Sequence, residues 1–233
     1  VLGVVSTLPP HIDTDSKKTP KLDDIAIDTG YTKAELEKLV SLGDTVTFES
    51  EAMPLVGTKI TGKSLDDKAG VACILYALEL LKGAELAYNI AVLFSTQEEV
   101  GERGAKIAAQ SIAADEALVM DVSFAKTPDS SPYKTWKLGG GVMIGYSAVL
   151  NRKMSDKLVR IAKDKSIPYQ VEVMPSETGT NADNIAVSGI GVKAVTLSIP
   201  LRYMHTPVEV VDTEDIVAVG RLIAEYAKEG CHE

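Results

Sequence analysis

The chain has 233 residues, of which 45% are hydrophobic and 24% are charged, and its formal net charge is −9. This balance is ordinary for one large globular domain, or for one domain with part of another. The longest basic run is the pair Lys17 and Lys18. We therefore expect neither nucleic acid nor an anionic membrane surface as a partner.

The use of cysteine favours a reducing compartment. Cys73 and Cys231 are far apart and form no CxxC motif, so they indicate no disulfide framework. Cys73 lies inside the apolar run GVACILYALELL, which predicts a buried, reduced thiol. No apolar stretch reaches the length of a transmembrane helix. We expect a cytoplasmic protein.

The first part of the chain reads as short extended segments separated by turns. A small helix is predicted over 32–43, because Thr32 and Glu35 have the spacing of a capping box and Gly43 stands where a C-terminal glycine belongs. The segment DTVTFESE, at 44–51, alternates like a strand. Residues 1–52 are therefore interpreted as part of a β-rich module.

From Gly62 onwards, predicted helices alternate with short apolar strands. The helices are expected over 67–83, 104–114, 154–166, 181–189 and 212–230, and the strands over 88–94, 116–121, 169–174 and 192–200. This alternation predicts a mixed, largely parallel sheet with helices on both faces. We assign 53–233 to one α/β domain.

Acidic residues and one histidine stand near the carboxyl ends of these strands, where ligands bind in this class of fold. They are Asp66 and Asp67 at the start of the first helix, Glu98 and Glu99 after the first strand, Asp121 at the end of the second and His205 after the last. No Ser-His or Cys-His pair competes with them. Carboxylates with an imidazole and few cysteines favour Zn²⁺ or a similar ion in a hydrolytic site.

The number of candidate ligands predicts two ions rather than one. A single ion takes about three protein ligands, whereas Asp66, Glu99, Asp121 and His205 are four, so two ions sharing a bridging carboxylate are expected. Glu98 and Glu99 are adjacent, and neighbouring side chains of an extended segment point to opposite sides. One can bind metal while the other acts as general base toward a metal-bound water.

Each motif also has a plainer interpretation. An acidic pair at the start of a helix can be there because the helix dipole stabilises negative charge at that end. Two glutamates after a strand can belong to a solvated loop, and an aspartate at a strand end can be a cap. A glycosidase is an alternative, but it needs two carboxyls roughly 5–9.5 Å apart around one bond. Adjacent residues that face opposite ways do not supply that, and His205 would have no role.

Five blocks of the sequence resemble, in order, those of the TET-type aminopeptidases, a family of dinuclear metallopeptidases that includes glutamyl and deblocking aminopeptidases and members formerly labelled endoglucanases. The blocks are GKSLDDKAGV, TQEEVGERGA, VMDVSFAKTP, GTNADNIA and SIPLRYMHTPVEVVDTEDI. The resemblance implies a zinc-peptidase-like α/β domain that carries an inserted β-rich dimerisation domain.

The resemblance also implies roles for the candidate residues. Asp66 would bridge two divalent ions, either Zn²⁺ or Co²⁺. Glu99 and His205 would complete one metal site and Asp121 would belong to the other. Glu98 would be the general base toward a metal-bridged water. The implied reaction is hydrolysis of N-terminal residues from peptides, in homodimers that assemble into a dodecamer.

Other residues of these blocks are expected to support the site. Asp67 is expected not to bind metal, since the family binds through the first aspartate of the pair. Asp183 and Asn184 are expected to cap a helix or to shape the substrate pocket. Arg202 and Tyr203, just before the histidine of the last block, are expected to orient its loop.

The stretch LPPHIDTD contains a possible metal-binding motif that we do not expect to bind the metal. His11 and Asp13 have the His-x-Asp spacing of a metal-binding motif, but the resemblance places this stretch in the inserted domain, after the family's own His-x-Asp-Glu block. Residues 1–52 would then be the C-terminal part of that domain, and the first βα units and one metal ligand would lie outside the sequence. We expect these 233 residues to bind at most one ion tightly and to have little peptidase activity. A catalytically incomplete remnant or assembly subunit is the second alternative.

Overall fold

The structure, a computed structural model, describes residues 1–6, 21–86 and 89–229. The chain divides into two compact units, residues 1–47 and 48–233. In the first unit, β1 (Val4–Ser6) pairs antiparallel with β2 (Ala26–Asp28). No helix within the described ranges is long and apolar enough to cross a membrane.

The first unit contains the predicted small helix but not the predicted strand. Helix α1 (Lys33–Leu36) begins after Thr32, whose backbone N–H donates to Glu35 Oε2 at 3.0 Å and whose hydroxyl donates to the same oxygen at 2.6 Å. The strand expected over 44–51 is wrong, because those residues pair with no described strand. Val46 is 70% exposed, so the alternation of this segment buries no apolar face.

The second unit is built on a mixed sheet. Its strands are β3 (Met53–Pro54), β4 (Lys59–Gly62), β5 (Glu116–Phe124), β6 (Val142–Tyr146), β7 (Tyr169–Val173), β8 (Lys193–Arg202) and β9 (Glu209–Asp212). Its helices are α2 (Leu65–Leu80), α3 (Arg103–Ile112), α4 (Arg152–Asp164), α5 (Asn181–Ala186) and α6 (Thr213–Glu229). The described strands run in the order β3-β4-β9-β8-β6-β7, with β5 paired to β8.

The parallel ladders are β5 with β8 and β6 with β7, and they contain more residue pairs than the antiparallel ladders. On one face of the sheet, Ile144, Leu197 and Ile199 are fully buried within the main core. Cys73 of α2 is buried there as a free thiol, as predicted, and burial raises its pKa. The predicted mixed sheet flanked by helices is confirmed.

The strand expected over 88–94 is also wrong within the described residues. Residues 89–94 form no strand, and Ile90, Val92 and Phe94 are between 40% and 51% exposed. They form one wall of a cleft of about 970 Å³, which β5 and the apolar sides of α2 and α3 also line. An apolar run becomes a strand only where a partner backbone is within hydrogen-bonding distance. Among the described residues, β5 is paired only with β8.

A buried carboxylate fixes the glycine-rich turn that leads into β6. Asp215, in the first turn of α6, accepts hydrogen bonds from the backbone N–H of Gly139 at 2.8 Å and of Gly141 at 2.7 Å. Gly141 has φ +86°, and a Cβ at this position would lie 1.9 Å from the carbonyl oxygen of Pro168. This turn therefore needs glycine for both its conformation and its close packing.

Gly141→Ala tests that packing. The left-handed conformation alone costs a non-glycine residue roughly 1–2 kcal/mol, and the contact with the Pro168 backbone adds roughly 1–3 kcal/mol because the backbone must shift. The free energy of unfolding, measured by urea denaturation, should fall by the sum of both.

Gly179→Ala is the matched control, because Gly179 has φ +67° but no atom within 4 Å of an added Cβ. It should show only the conformational cost. Equal losses in the two variants would contradict the close packing of Gly141.

Candidate metal centre

The irregular first turn of α2 gives the two aspartates of the DD motif different roles. Asp66 and Asp67 have non-helical backbone angles, and Ser64 before them has φ +56°. Asp67 Oδ1 accepts the N–H of Gly70 at 2.8 Å, so Asp67 caps the regular part of the helix. The side chain of Asp66 is not used in this way and is directed toward His205.

Three of the four predicted metal ligands lie together. Asp66 Oδ2 is 3.2 Å from Nε2 of His205, and Glu99 Oε2 is 3.6 Å from the same nitrogen. One potential ligand atom from each residue lies within 4.8 Å of the others. The Asp66 side chain is 11% exposed, whereas those of Glu99 and His205 are 60% and 65% exposed. The group is thus open to solvent on one side.

Glu98 lies outside this group of three and is more buried than Glu99. Burial raises the pKa of Glu98, and the negative charges of Glu99, Glu102 and Asp66 raise it further. The preceding Gln97 has φ +60°, and the carbonyl of Glu98 accepts the N–H of Glu102 at 2.8 Å. The tight turn therefore gives the two adjacent glutamates different surroundings.

Asp121 is buried in β5 and also lies outside the group. Its Oδ1 accepts the backbone N–H of Val122 at 2.8 Å. Burial raises the pKa of Asp121 to about 9, and the charges of Asp67, Glu98 and Asp66 contribute. Asp121 is therefore close enough to the other carboxyls to share their electrostatic field.

The same field acts on both aspartates of the DD motif. Burial raises the pKa of Asp66 to about 6, with contributions from the charges of Glu99 and Glu209. Burial raises the pKa of Asp67 to about 8, with contributions from Asp66 and Glu98. A group of carboxyls that oppose one another's ionisation in this way favours a bound cation.

The structure adds one residue that the sequence analysis did not single out. Glu209, the first residue of β9, is 2% exposed. Its Oε2 accepts the N–H groups of Leu65 at 2.7 Å and Asp66 at 3.2 Å, and its Oε1 accepts the N–H of His205 at 3.0 Å. The available signal was a glutamate between valines in PVEVVD, a charged residue in an otherwise apolar run.

Helix α5 holds the loop that carries the two glutamates. Asn181 Nδ2 donates to Ser95 Oγ at 3.1 Å, and Asn184 Nδ2 donates to Glu102 Oε2 at 2.9 Å. Asp183 instead accepts the N–H groups of Thr178 and Gly179, close to its own helix. In GTNADN, the aspartate therefore orders the start of the helix and the asparagines reach the loop.

The loop of His205 is tethered as well. Arg202 Nε donates to the carbonyl of Lys126 at 2.8 Å. Tyr203 and His205 both have positive φ angles, +59° and +61°. His11, Asp13 and His232 lie outside the described residues, so the prediction that LPPHIDTD does not bind the metal stays a prediction.

The family model described as M42 glutamyl aminopeptidase matches residues 1–222. The chain belongs to this family. The resemblance to TET-type aminopeptidases is thereby confirmed. A lysyl aminopeptidase of Pyrococcus furiosus is 33% identical over 219 residues, which are 92% of this chain and 63% of that protein.

Solved structures of an aminopeptidase and of a TET peptidase agree with this fold. An aminopeptidase from the archaeon Desulfurococcus kamchatkensis superposes with a TM-score of 0.91 and 37% identity, covering 98% of this chain and 65% of that one. The TET1 peptidase of Pyrococcus horikoshii gives 0.82 and 30%, covering 98% and 68%. This chain thus spans about two thirds of the length of these relatives.

The donor set of this M42 chain fits the divalent ions that the family implies. Two carboxylate oxygens and one imidazole nitrogen, from Asp66, Glu99 and His205, suit Zn²⁺ or Co²⁺. One side of the group is exposed, which leaves room for a water or a substrate. The raised carboxyl pKa values around it show that these groups resist ionisation in the absence of a positive charge, and a bound cation would supply that charge.

Asn184→Leu tests how the glutamate loop is held. The change keeps the size of the side chain but removes the donor to Glu102, so backbone amides of residues 97–103 should exchange with deuterium several-fold faster, since a hydrogen bond of this kind stabilises by about 1 kcal/mol. Hydrogen exchange with mass spectrometry measures this directly. Gln110→Leu, on the exposed side of α3, is the control and should leave the segment unchanged. Unchanged exchange in Asn184→Leu would contradict the tether.

Proposed function

We propose that the protein is a metal-dependent aminopeptidase that hydrolyses N-terminal residues from peptides. The observation that carries the proposal is the convergence of Asp66, Glu99 and His205, whose potential ligand atoms lie within 4.8 Å of one another. Membership of the M42 family supports it. A structural cluster would not require acidic residues from three separate segments of the chain to oppose one another's ionisation.

With the family's full ligand set, the proposed metal centre would hold two divalent ions, Zn²⁺ or Co²⁺, of which these 233 residues would bind one tightly. Asp66 would bridge them, Glu99 and His205 would complete one site, and Asp121 would bind in the other. When bound, such ions acidify a shared water and polarise the peptide carbonyl. Asp67 contributes no ligand in this proposal, and its hydrogen bond to Gly70 supports that assignment.

Glu98 is proposed as the general base. A base works best when its pKa is raised toward neutral pH, because it then accepts a proton readily and can pass it on. The partly buried position of Glu98 and the neighbouring negative charges raise its pKa in that direction. In this role it takes the proton of the attacking water and delivers it to the leaving amine.

The proposed substrate is a peptide with a free N-terminal amine. The group of Asp66, Glu99 and His205 is open to solvent on one side, which leaves room for the N-terminal end of a peptide beside the ligands. The net charge of −9 disfavours anionic ligands such as nucleic acid. The family is described as glutamyl and one relative as lysyl, so the proposal concerns the amine and not one particular side chain.

We also propose a homo-oligomer of dimers that assemble into a dodecamer, in the cytoplasm. The Pyrococcus horikoshii TET1 peptidase is described as assembling into a tetrahedron or a large octahedral shell. In this chain, residues 1–47 form a compact unit of their own, which supports a dimerisation role for the predicted domain over 1–52. The free, buried thiol of Cys73 is compatible with a reducing compartment.

Metal binding by the 233-residue chain tests the centre. Calorimetric titration of the metal-free protein with Co²⁺ should show one tightly bound ion, held by Asp66, Glu99 and His205. Asp66→Asn and His205→Ala should each weaken binding at least tenfold, because each removes a ligand. Asp129→Asn, at an exposed position, is the control. Absence of Co²⁺ binding by the unchanged chain would contradict the proposed centre.

Hydrolysis of aminoacyl-p-nitroanilides tests the chemistry. In any preparation that has activity, Glu98→Gln should lower kcat by roughly 10²–10⁴-fold, the usual contribution of a general base, while Co²⁺ stays bound. Glu177→Gln, at an exposed loop position, should behave as the unchanged protein.

The 233-residue chain alone should have little activity. Ordinary rates from it would overturn that expectation, and an active Glu98→Gln variant would overturn the assignment of the base.

A further inference from the structure

We propose that Glu209 is a positioning residue that sets the separation of Asp66 and His205 and so prepares the metal centre before any ion binds. This inference rests on the metal centre proposed above. Glu209 does not belong to the group of three potential ligands. It acts on two of them through the backbone N–H groups of their segments.

The contacts of Glu209 use both carboxylate oxygens, one for each segment. Oε2 accepts the N–H groups of Leu65 and Asp66, at 2.7 Å and 3.2 Å, at the start of α2. Oε1 accepts the N–H of His205 at 3.0 Å. A single carboxylate therefore spans the start of α2 and the loop of His205, which are about 140 residues apart in the sequence, and fixes the distance between them.

The burial of Glu209 restricts its side chain to these hydrogen bonds. It is 2% exposed, and its backbone is fixed by the ladder in which it faces Gly62 of β4. Within the described ranges, no lysine or arginine forms an ion pair with it. A buried carboxylate without a cationic partner needs several hydrogen bonds to be tolerated. The three N–H groups supply these bonds, and their positions are thereby constrained.

The backbone that Glu209 holds is strained on both sides. Ser64, just before the bonded N–H groups of α2, has φ +56°, and His205 itself has φ +61°. Neither residue is glycine, and such conformations persist where the surroundings over-determine them. The bonds to Glu209 provide that constraint at the two places where the chain presents a potential metal ligand.

Substitution of Glu209 by glutamine and by aspartate distinguishes a positioning role from a simple charge effect. Glutamine has the same length, but it can accept on one side only and presents an N–H to the other backbone N–H. Aspartate keeps the charge but is shorter by one methylene, so it cannot reach both segments. Positioning requires both acceptors and the full length, whereas an electrostatic role requires only the negative charge.

The experiment measures Co²⁺ affinity by calorimetry and the visible absorption of bound Co²⁺, which reports coordination geometry. It compares the unchanged chain with Glu209→Gln and Glu209→Asp. Both variants should bind Co²⁺ about ten- to hundredfold more weakly, the usual loss when a residue supporting a ligand is changed, and both spectra should change. Glu214→Gln, the same substitution at an exposed position, should match the unchanged chain.

The outcomes separate the possibilities. Unchanged affinity and spectrum in both variants, with only a lower unfolding temperature, would overturn positioning in favour of a purely structural role. Loss in Glu209→Gln with normal binding in Glu209→Asp would overturn it in favour of charge. If the unchanged chain binds no Co²⁺, the proposed metal centre fails instead.

A measurement on the unchanged chain tests the proposal even if the Glu209 variants do not fold. Without metal, the backbone amides of Leu65 and His205 should exchange with deuterium slowly, because both are held by a buried acceptor. Rapid exchange at both amides would contradict the positioning role even if no variant can be purified.

Discussion

Negative charge concentrated near one end of the sheet is the constraint to which the rest of the site is adapted. Burial weakens screening by solvent, so each carboxylate feels its neighbours strongly. Removal from water raises the pKa values of Asp66, Asp67 and Asp121 to about 6, 8 and 9, and the charges of neighbouring carboxylates contribute to the rise. The fold must hold these groups close together against their repulsion. A site that does this at a cost in stability is organised for a cation.

Over residues 1–6, 21–86 and 89–229, backbone N–H groups, and no lysine or arginine, compensate the charge of these acidic side chains. Gly70, Val122 and the segments held by Glu209 donate to the acidic side chains. Within the described part of the chain, the one ion-pair partner of Asp66 and Glu99 is His205. N–H groups stabilise a carboxylate while leaving its charge in place, whereas a basic side chain would neutralise it. The field that favours a divalent ion is therefore retained.

The sequence correctly predicted the strands whose apolar side chains are covered by helices. It predicted strands wrongly where an apolar or alternating run is not paired with another strand among the described residues. The runs at β5 and β8 became strands, and His205 lies beyond β8 as expected, but β5 continues to Phe124 so that Asp121 lies within the strand and not at its end. The segments over 44–51 and 89–94 have strand-like patterns but pair with no strand among the residues that the structure describes. Glu209 was missed because its role depends on N–H groups of loops that are distant in sequence. Periodicity carries no information about such contacts.

The failure over 89–94 bears on how the group of three is assembled. A strand there would have anchored the following loop through a ladder, but the segment lies across a cleft from β5. The position of Glu99 depends instead on hydrogen bonds from Asn181 and Asn184 of α5. Asp66 and His205 depend on Glu209. Two separate anchors thus bring the candidate ligands together, and an ion bound by all three would couple them. Binding would then order the glutamate loop more than it orders the segments already fixed by Glu209.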